Sequence, residues 1–190
     1  MPPAITYTIV GNNGEIARVS KEDLQGRDTS WNIIGITMRD AGAGYATPYL
    51  TGLGKSTKSD QDRGKFGEGL KLLAASAVRQ GISMEISSRN WQAIPGAYPL
   101  SVTDHETGGQ KNFDRLGYAM SWTDAPQAGS MTHFSLLPLP EEAQVLSAEQ
   151  RLELSVKRES TGGTWENWLD VLDPRNEDAS GVSGEGYVAE

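Results

Sequence analysis

Apolar residues recur along this chain with two periods, and the switches between them divide it into elements. Ile5–Val10 reads Ile-Thr-Tyr-Thr-Ile-Val, rich in β-branched residues, and predicts a strand. Gly11-Asn12-Asn13-Gly14 is a turn signal, and Glu15–Ser20 is the expected hairpin partner. Ser20–Gly26 is polar and fits one helical turn. Asn32–Arg39 (Asn-Ile-Ile-Gly-Ile-Thr-Met-Arg) predicts an apolar, central strand that runs straight into Asp40-Ala41-Gly42-Ala43-Gly44. Ile82–Ser88 alternates Ile-Ser-Met-Glu-Ile-Ser-Ser, the pattern of a half-buried strand. Tyr118–Trp122 and Thr132–Leu137 are further strands, and with Ile82–Ser88 they predict an antiparallel meander. Tyr98–Gly117 reads as turn-rich.

Helical stretches lie between and after these. Tyr45–Lys65 carries Gly, Ser, Thr, Lys and Asp with little apolar content, and predicts a short helix followed by a mobile loop. Leu70–Gln80 (LKLLAASAVRQ) predicts a strong helix whose buried face is Leu72, Leu73, Ala75, Ala77 and Val78. Gly81 stands where a C-terminal cap glycine belongs. Ser147 caps a predicted helix through about Lys157, with Gln150 at the capping-box position. Trp165–Leu172 is a short aromatic helix. Asn176–Glu190 is Gly, Ser, Asp and Glu with few apolar residues, and is expected to be disordered.

Composition narrows the function classes. The chain has 190 residues, enough for one domain with a tail, and no cysteine, which excludes disulfides and thiolate metal sites. His105 and His133 are too few for a histidine-rich metal centre. Apolar runs such as Leu72–Ala75 are too short to span a membrane. Met1-Pro2-Pro3-Ala4 lacks the basic and apolar regions of a signal peptide, so a soluble cytoplasmic protein is the expectation. A net charge of −8 disfavours a broad, charge-driven nucleic-acid surface. It does not disfavour an anion held by backbone N–H groups. The 22 glycines matter mainly for where they fall.

Three phosphate motifs compete for them. Gly52-Leu53-Gly54-Lys55-Ser56-Thr57 imitates a P-loop, but Tyr49 occupies the position of its first glycine, and Pro48 interrupts the strand that should precede it. Gly42-Ala43-Gly44 imitates a dinucleotide fingerprint, but Thr47 stands where the third glycine belongs, and no acidic residue ends a second parallel strand downstream. Gly64-x-Phe66-Gly67-x-Gly69 imitates a kinase glycine loop, which joins two strands; here a helix follows at once.

Taken together the glycine segments read differently. Asp40-x-Gly42-x-Gly44 ends a strand, and Gly64-x-Phe66-Gly67-x-Gly69-x-Lys71 opens a helix after a polar loop. This pair, in this order and separation, resembles the GHKL ATPase superfamily of gyrase, the ninety-kilodalton heat-shock chaperone, histidine kinases and MutL. The spelling Gly-Lys-Phe-Gly-Glu-Gly-Leu-Lys is most like the chaperone and MORC branches. The resemblance implies a Bergerat-type ATP-binding fold: α+β, a two-layer α/β sandwich with a mixed, mainly antiparallel sheet. It implies ATP as ligand and magnesium as the family's metal. Asp40 would take the exocyclic amino group of adenine, and Gly42 and Gly44 would let the backbone approach the base. Gly64, Lys65, Phe66, Gly67, Glu68 and Gly69 would turn N–H groups toward phosphate at the helix that opens with Leu70. Phe66 would anchor that loop from beneath. Lys71 either reaches a phosphate or is a solvated surface lysine. The loop with Lys55, Lys58, Arg63 and Lys65 corresponds to the family's ATP lid. Gly129-Ser130-Met131-Thr132 resembles the last family box, with Ser130 for the usual threonine and a hydroxyl near Asp40. Thr132 follows on the same side of the strand. His133 alternates to the other face and is expected to be structural. Read alone, each box has a plainer meaning: an Asp-Gly turn, an exposed polar loop, a strand start.

The family's first helix carries Glu-x-x-x-Asn, the glutamate activating water and the asparagine holding magnesium. No match precedes Asp40, so no catalytic or metal residue is assigned. The resemblance covers Asn32 to Pro138. Either the chain is a fragment whose longer parent supplies the helix and hydrolyses ATP, or it is a degenerate, nonenzymatic interaction module. The fragment is the favoured expectation, with a partner or the missing N-terminal segment covering the sheet. No phospho-acceptor helix pair supports histidine-kinase activity. The expected organisation is an ATP-binding domain over 1–140, a helical extension over 141–175 and an acidic tail over 176–190.

Overall fold

The computed structural model describes residues 4–51, 69–140 and 142–176. Strands β1 (Ala4–Val10) and β2 (Ile16–Ser20) form the expected hairpin, turning through Gly14 at φ 86°. Helix α1 (Lys21–Gln25) starts where the Ser20 hydroxyl accepts the Asp23 N–H and stops at Gly26. Strand β3 (Asn32–Asp40) follows, then the short α2 (Pro48–Thr51) and α3 (Gly69–Arg79). Two long strands, β4 (Ser83–Thr103) and β5 (Gln110–Ser135), precede α4 (Ala148–Ser160) and α5 (Thr164–Leu172).

The architecture is α+β, with one five-stranded sheet in the order β2-β1-β3-β5-β4. Every described pairing is antiparallel, where a mixed sheet was expected. The reason is an insertion. Strands β3 and β4 run parallel to each other across a helical connection, but β5 lies between them and pairs antiparallel with both, a split β-α-β arrangement. The meander expectation is corrected with it: 118–122 and 132–137 do not form separate strands, because Tyr118–Trp122 and Thr132–Ser135 both belong to β5.

Alternation decides which face is buried. Ile34, Ile36 and Met38 of β3 share a face with Phe134 of β5, Met84 and Ile86 of β4, and Ile5 and Tyr7 of β1. The opposite face carries Gly35, Thr37, His133, Ser135, Glu85 and Ser87. Helix α5 covers the apolar face. Trp168 meets Phe134 edge-on with ring centroids 5.5 Å apart, and the Tyr7 hydroxyl donates to the Leu172 carbonyl at 2.7 Å. Trp165, fully buried, donates its indole N–H to the Ile33 carbonyl at 3.2 Å. The segment after Pro140 thus adds Leu146, Leu154 and Trp165 to the same core as the sheet. Ser147 and Gln150 form the expected capping box at the start of α4.

Two expectations are corrected: the buried face of α3, where Leu73 and Ala77 hold and Leu72 does not, and the turn-rich reading of Tyr98–Gly117. On α3 the inward stripe is Leu70, Leu73, Ala74 and Ala77, an i, i+3, i+4, i+7 set, with Ala74 and Ala77 fully buried. Leu72, expected inside, is 67% exposed because it lies off that stripe. The turn-rich reading of Tyr98–Gly117 also fails: only the stretch around Asp104–Gly109 turns, closed by Asp104 N–H to Gly109 carbonyl at 2.8 Å. The flanking residues pair in register from Thr103↔Gln110 back to Trp91↔Trp122, so β4 and β5 continue as a two-stranded arm. Pro95 and Pro99 are tolerated in β4 because it is the sheet's edge strand. Ile94, Tyr98, Leu100, Val102 and Phe113 lie exposed along this arm. No helix among the described residues is long and apolar enough to cross a membrane.

The Tyr7–Leu172 bond ties the sheet to the end of α5. Burial raises the Tyr7 phenol to about 12, so it stays a donor at any ordinary pH. Tyr7→Phe leaves the carbonyl unpaired, and urea denaturation is expected to register a loss of about 1–2 kcal/mol.

Candidate functional site

The site grows out of the end of β3. Asp40 is the last residue of that strand, paired with Ser130 of β5, and it lies on the face that carries Ile36 and Phe134. Its side chain is exposed but held at both oxygens. Oδ1 accepts the Gly42 N–H at 2.8 Å, and Oδ2 accepts the Ser130 hydroxyl. A Cβ on Gly42 would sit 2.9 Å from Asp40 Oδ1, so a side chain there would displace the carboxylate from this arrangement. Ser130 pairs on its other side with Ser88 of β4, which brings three strands to one point.

Glycine allows the chain to cross that point. Gly44 has φ 65°, and a Cβ there would lie 2.5 Å from Ser88 Oγ and 2.7 Å from the Gly129 carbonyl. Gly129 has φ 75°, and a Cβ there would land on the Asp40 carbonyl. The buried Ser88 hydroxyl accepts the Tyr45 N–H at 3.0 Å and donates to the Gly129 carbonyl at 3.1 Å. Trp91, also buried, donates its indole N–H to the Tyr45 carbonyl at 3.1 Å and meets the Tyr45 ring edge-on at 5.3 Å. Arg89 bonds the carbonyls of Ala43 and Gly44 at 3.3 and 3.4 Å. It does so from φ 53°, the one positive value at a non-glycine residue among those described. The Tyr45 phenol is pushed up by burial, then by Tyr118 and Asp40, and remains protonated.

Among the sequence-chosen residues, Asp40, Gly42, Gly44 and Ser130 come together here. Thr132 stands one pair further along the same face, opposite Met38 and Ile86. Gly69 and Leu70 open α3, with Lys71 in its first turn, half-buried and engaged by a neighbour. Lys58, Gly64, Lys65, Phe66, Gly67 and Glu68 lie outside the described residues, as do the tail residues after Asn176. The sequence reading missed Tyr45, Ser88, Arg89 and Trp91. The signal for them was the break in alternation after Ser88, where the β4–β5 register shifts between Ser88 and Arg89 and again before Trp91. Among the described residues no three His, Cys, Asp or Glu side chains come together to hold a metal.

His133 lies on the polar face, its Nδ1 2.8 Å from the Thr37 hydroxyl. Burial pulls its pKa below 6.5, against the pull of Glu85 and with the repulsion of Arg18. The unfolded chain therefore takes up this proton at a higher pH than the folded one. His133 stability is complete above 6.5 and is lost as pH falls through the lower native value. The urea midpoint is expected to drop between about pH 7.5 and pH 5, and His133→Gln to flatten that drop. Asp28 and Asp104, held below the carboxylate range mainly by hydrogen bonds from Ser30 and Lys111, act only in more acid solution.

Gly129→Ala is expected to cost more than about 2 kcal/mol and to part Asp40 from Ser130, since backbone must move. Gly108→Ala is the control: its φ is also positive, at 67°, but nothing lies within 4 Å of the added Cβ, so only the local strain of about 1 kcal/mol remains. Compared with protein-family models, with curated proteins and with solved structures, the chain matches none.

Proposed function

We propose that this chain binds an adenine nucleotide beside β3, β5 and α3, as the ATP-binding part of a GHKL-type ATPase whose hydrolysis requires an intact longer parent. The observation that carries this reading is the oriented carboxylate of Asp40. The Gly42 N–H and the Ser130 hydroxyl fix its plane, and it remains exposed at the end of the central strand. A carboxylate only accepts hydrogen bonds, so with the 6-position of a purine toward it the amino group of adenine is held and the carbonyl that guanine has at that position is repelled. That favours adenine over guanine. Gly42 lies beside that carboxylate, while the Cβ direction of Gly44 is taken up by Ser88 and Gly129 within the fold. The eleven-residue α3 offers its first N–H groups and the positive end of its dipole to phosphate, which is why a chain of charge −8 can hold an anion. Lys71 lies in that first turn, and the resemblance adds Lys58 and Gly64–Glu68 on the phosphate side. The described residues offer no metal-binding group, so no step is assigned to magnesium.

Isothermal titration calorimetry with ATP and magnesium tests this. Saturable binding is expected, with Asp40→Asn weakening it by about tenfold or more and GTP failing to compete. Absence of ATP binding, or an unchanged affinity in Asp40→Asn, sinks the reading. The exposed apolar row on the arm favours a second reading, a nonenzymatic interaction module. That reading gains if the folded chain takes no nucleotide.

A further inference from the structure

A groove of about 360 Å³ lies on the other face of the sheet from Asp40, at the base of the arm. Its walls include Glu85, Ser87, Gln92, Ser121, Trp122 and Gln127. Glu85 and Ser87 alternate with Met84, Ile86 and Ser88, so they point away from the helices. The volume is at the small end of the range of about 300–1,000 Å³ typical of ligand sites. Two features set it apart from ordinary surface. Trp122 is 64% exposed, although an indole of that size is normally drawn into a core. Ser87 is 7% exposed, and its hydroxyl, like those of Tyr118 and Ser135 outside the groove, has no hydrogen-bond partner in the protein. An unpaired buried hydroxyl is rare in a folded chain.

We propose that this groove binds a saccharide. The lining chemistry selects the class. No lysine or arginine lines the groove, and its formal charge is the carboxylate of Glu85, so phosphates and carboxylates are repelled. The other polar groups are side-chain amides and hydroxyls. These pair with neutral hydroxyl groups as both donors and acceptors. An exposed indole supplies a flat apolar face with a polar edge, suited to a ring that has C–H bonds on one side and hydroxyls around its rim. A quaternary ammonium ligand fits less well. It requires several ring faces around the cation, and Trp91, the other indole here, is buried with its N–H committed to Tyr45. Ser121 already leans on Gln92, its hydroxyl 3.4 Å from the amide oxygen, a long contact that a ligand hydroxyl can replace.

The test is a titration of the full chain followed by the indole N–H signals of its nitrogen-15 spectrum. Trp122 is assigned by the signal lost in Trp122→Phe. Glucose, cellotriose, maltotriose and chitotriose are the probes, with tetramethylammonium and inorganic phosphate as the contrasting arms. The expected result is a saturable shift of the Trp122 signal with at least one trisaccharide. By isothermal titration calorimetry with the responding sugar, affinity is expected to fall about tenfold in Trp122→Ala and in Gln127→Ala, to be largely kept in Trp122→Phe, and to be unchanged in Asp40→Asn. Response to trisaccharides without response to glucose marks a polymer as the source, and response to both marks a free sugar; either supports the site. Silence of Trp122 toward all four sugars at on the order of 10 mM overturns the proposal. So does a stronger response to tetramethylammonium or phosphate than to any sugar. Because Asp40 lies on the opposite face, failure here leaves the nucleotide reading standing, and the reverse also holds.

Discussion

The register of β3 against β5 is the constraint on which the remaining structure rests. Ile36 faces Phe134 and Asp40 faces Ser130 in one ladder. A slip of one residue would turn Phe134 away from Trp168 and put His133 beneath α5. It would also separate the carboxylate from the hydroxyl that orients it. Core and candidate site are therefore not independent. The same ladder that buries the aromatic contact sets the angle of the Asp40 carboxylate.

Around that ladder the backbone is packed more tightly than side chains allow. Gly44, Gly129 and Ser88 meet where three strands converge, and each glycine there has a neighbour that a Cβ would displace. Arg89 adopts a left-handed conformation to bring its guanidinium over the Ala43 and Gly44 carbonyls. Strain of this kind persists only where surrounding contacts over-determine it. Here Ser88 and Trp91 do so, by fixing both the N–H and the carbonyl of Tyr45.

Much of this was legible in the sequence. The β1–β2 hairpin, the apolar β3 ending at Asp40, the cap at Ser147 and the glycine after α3 all follow from local periodicity and capping chemistry. Asp40 and Ser130 were also chosen correctly as neighbours. Non-local pairing stayed hidden. Nothing local says that β5 inserts between β3 and β4, or that Tyr98–Gly117 extends rather than turns. Glycine and proline there suggested loops, whereas Tyr98 lies across the Gly96–Gly117 pair and an edge strand tolerates proline. On α3 the leucines are dense enough that several faces look apolar, and only contact with the sheet singles out Leu70, Leu73, Ala74 and Ala77. Ser88 and Arg89 left only a broken alternation as their signal.

The long β4–β5 arm has a consequence for assembly. Asp40 and Ser130 are 90 residues apart in the chain, so closing that loop directly is slow and costs entropy before any contact compensates. The arm offers a shorter route. Its turn at Asp104–Gly109 is local, and pairing can zip outward from Thr103↔Gln110 toward the sheet, on the microsecond scale of hairpins. By the time Ser88 meets Ser130, both are already aligned on one ribbon. What β3 then docks onto is a preformed edge rather than two separate strands. An arm of this length can thus serve as a folding template for the side of the molecule that carries Asp40 and Ser130.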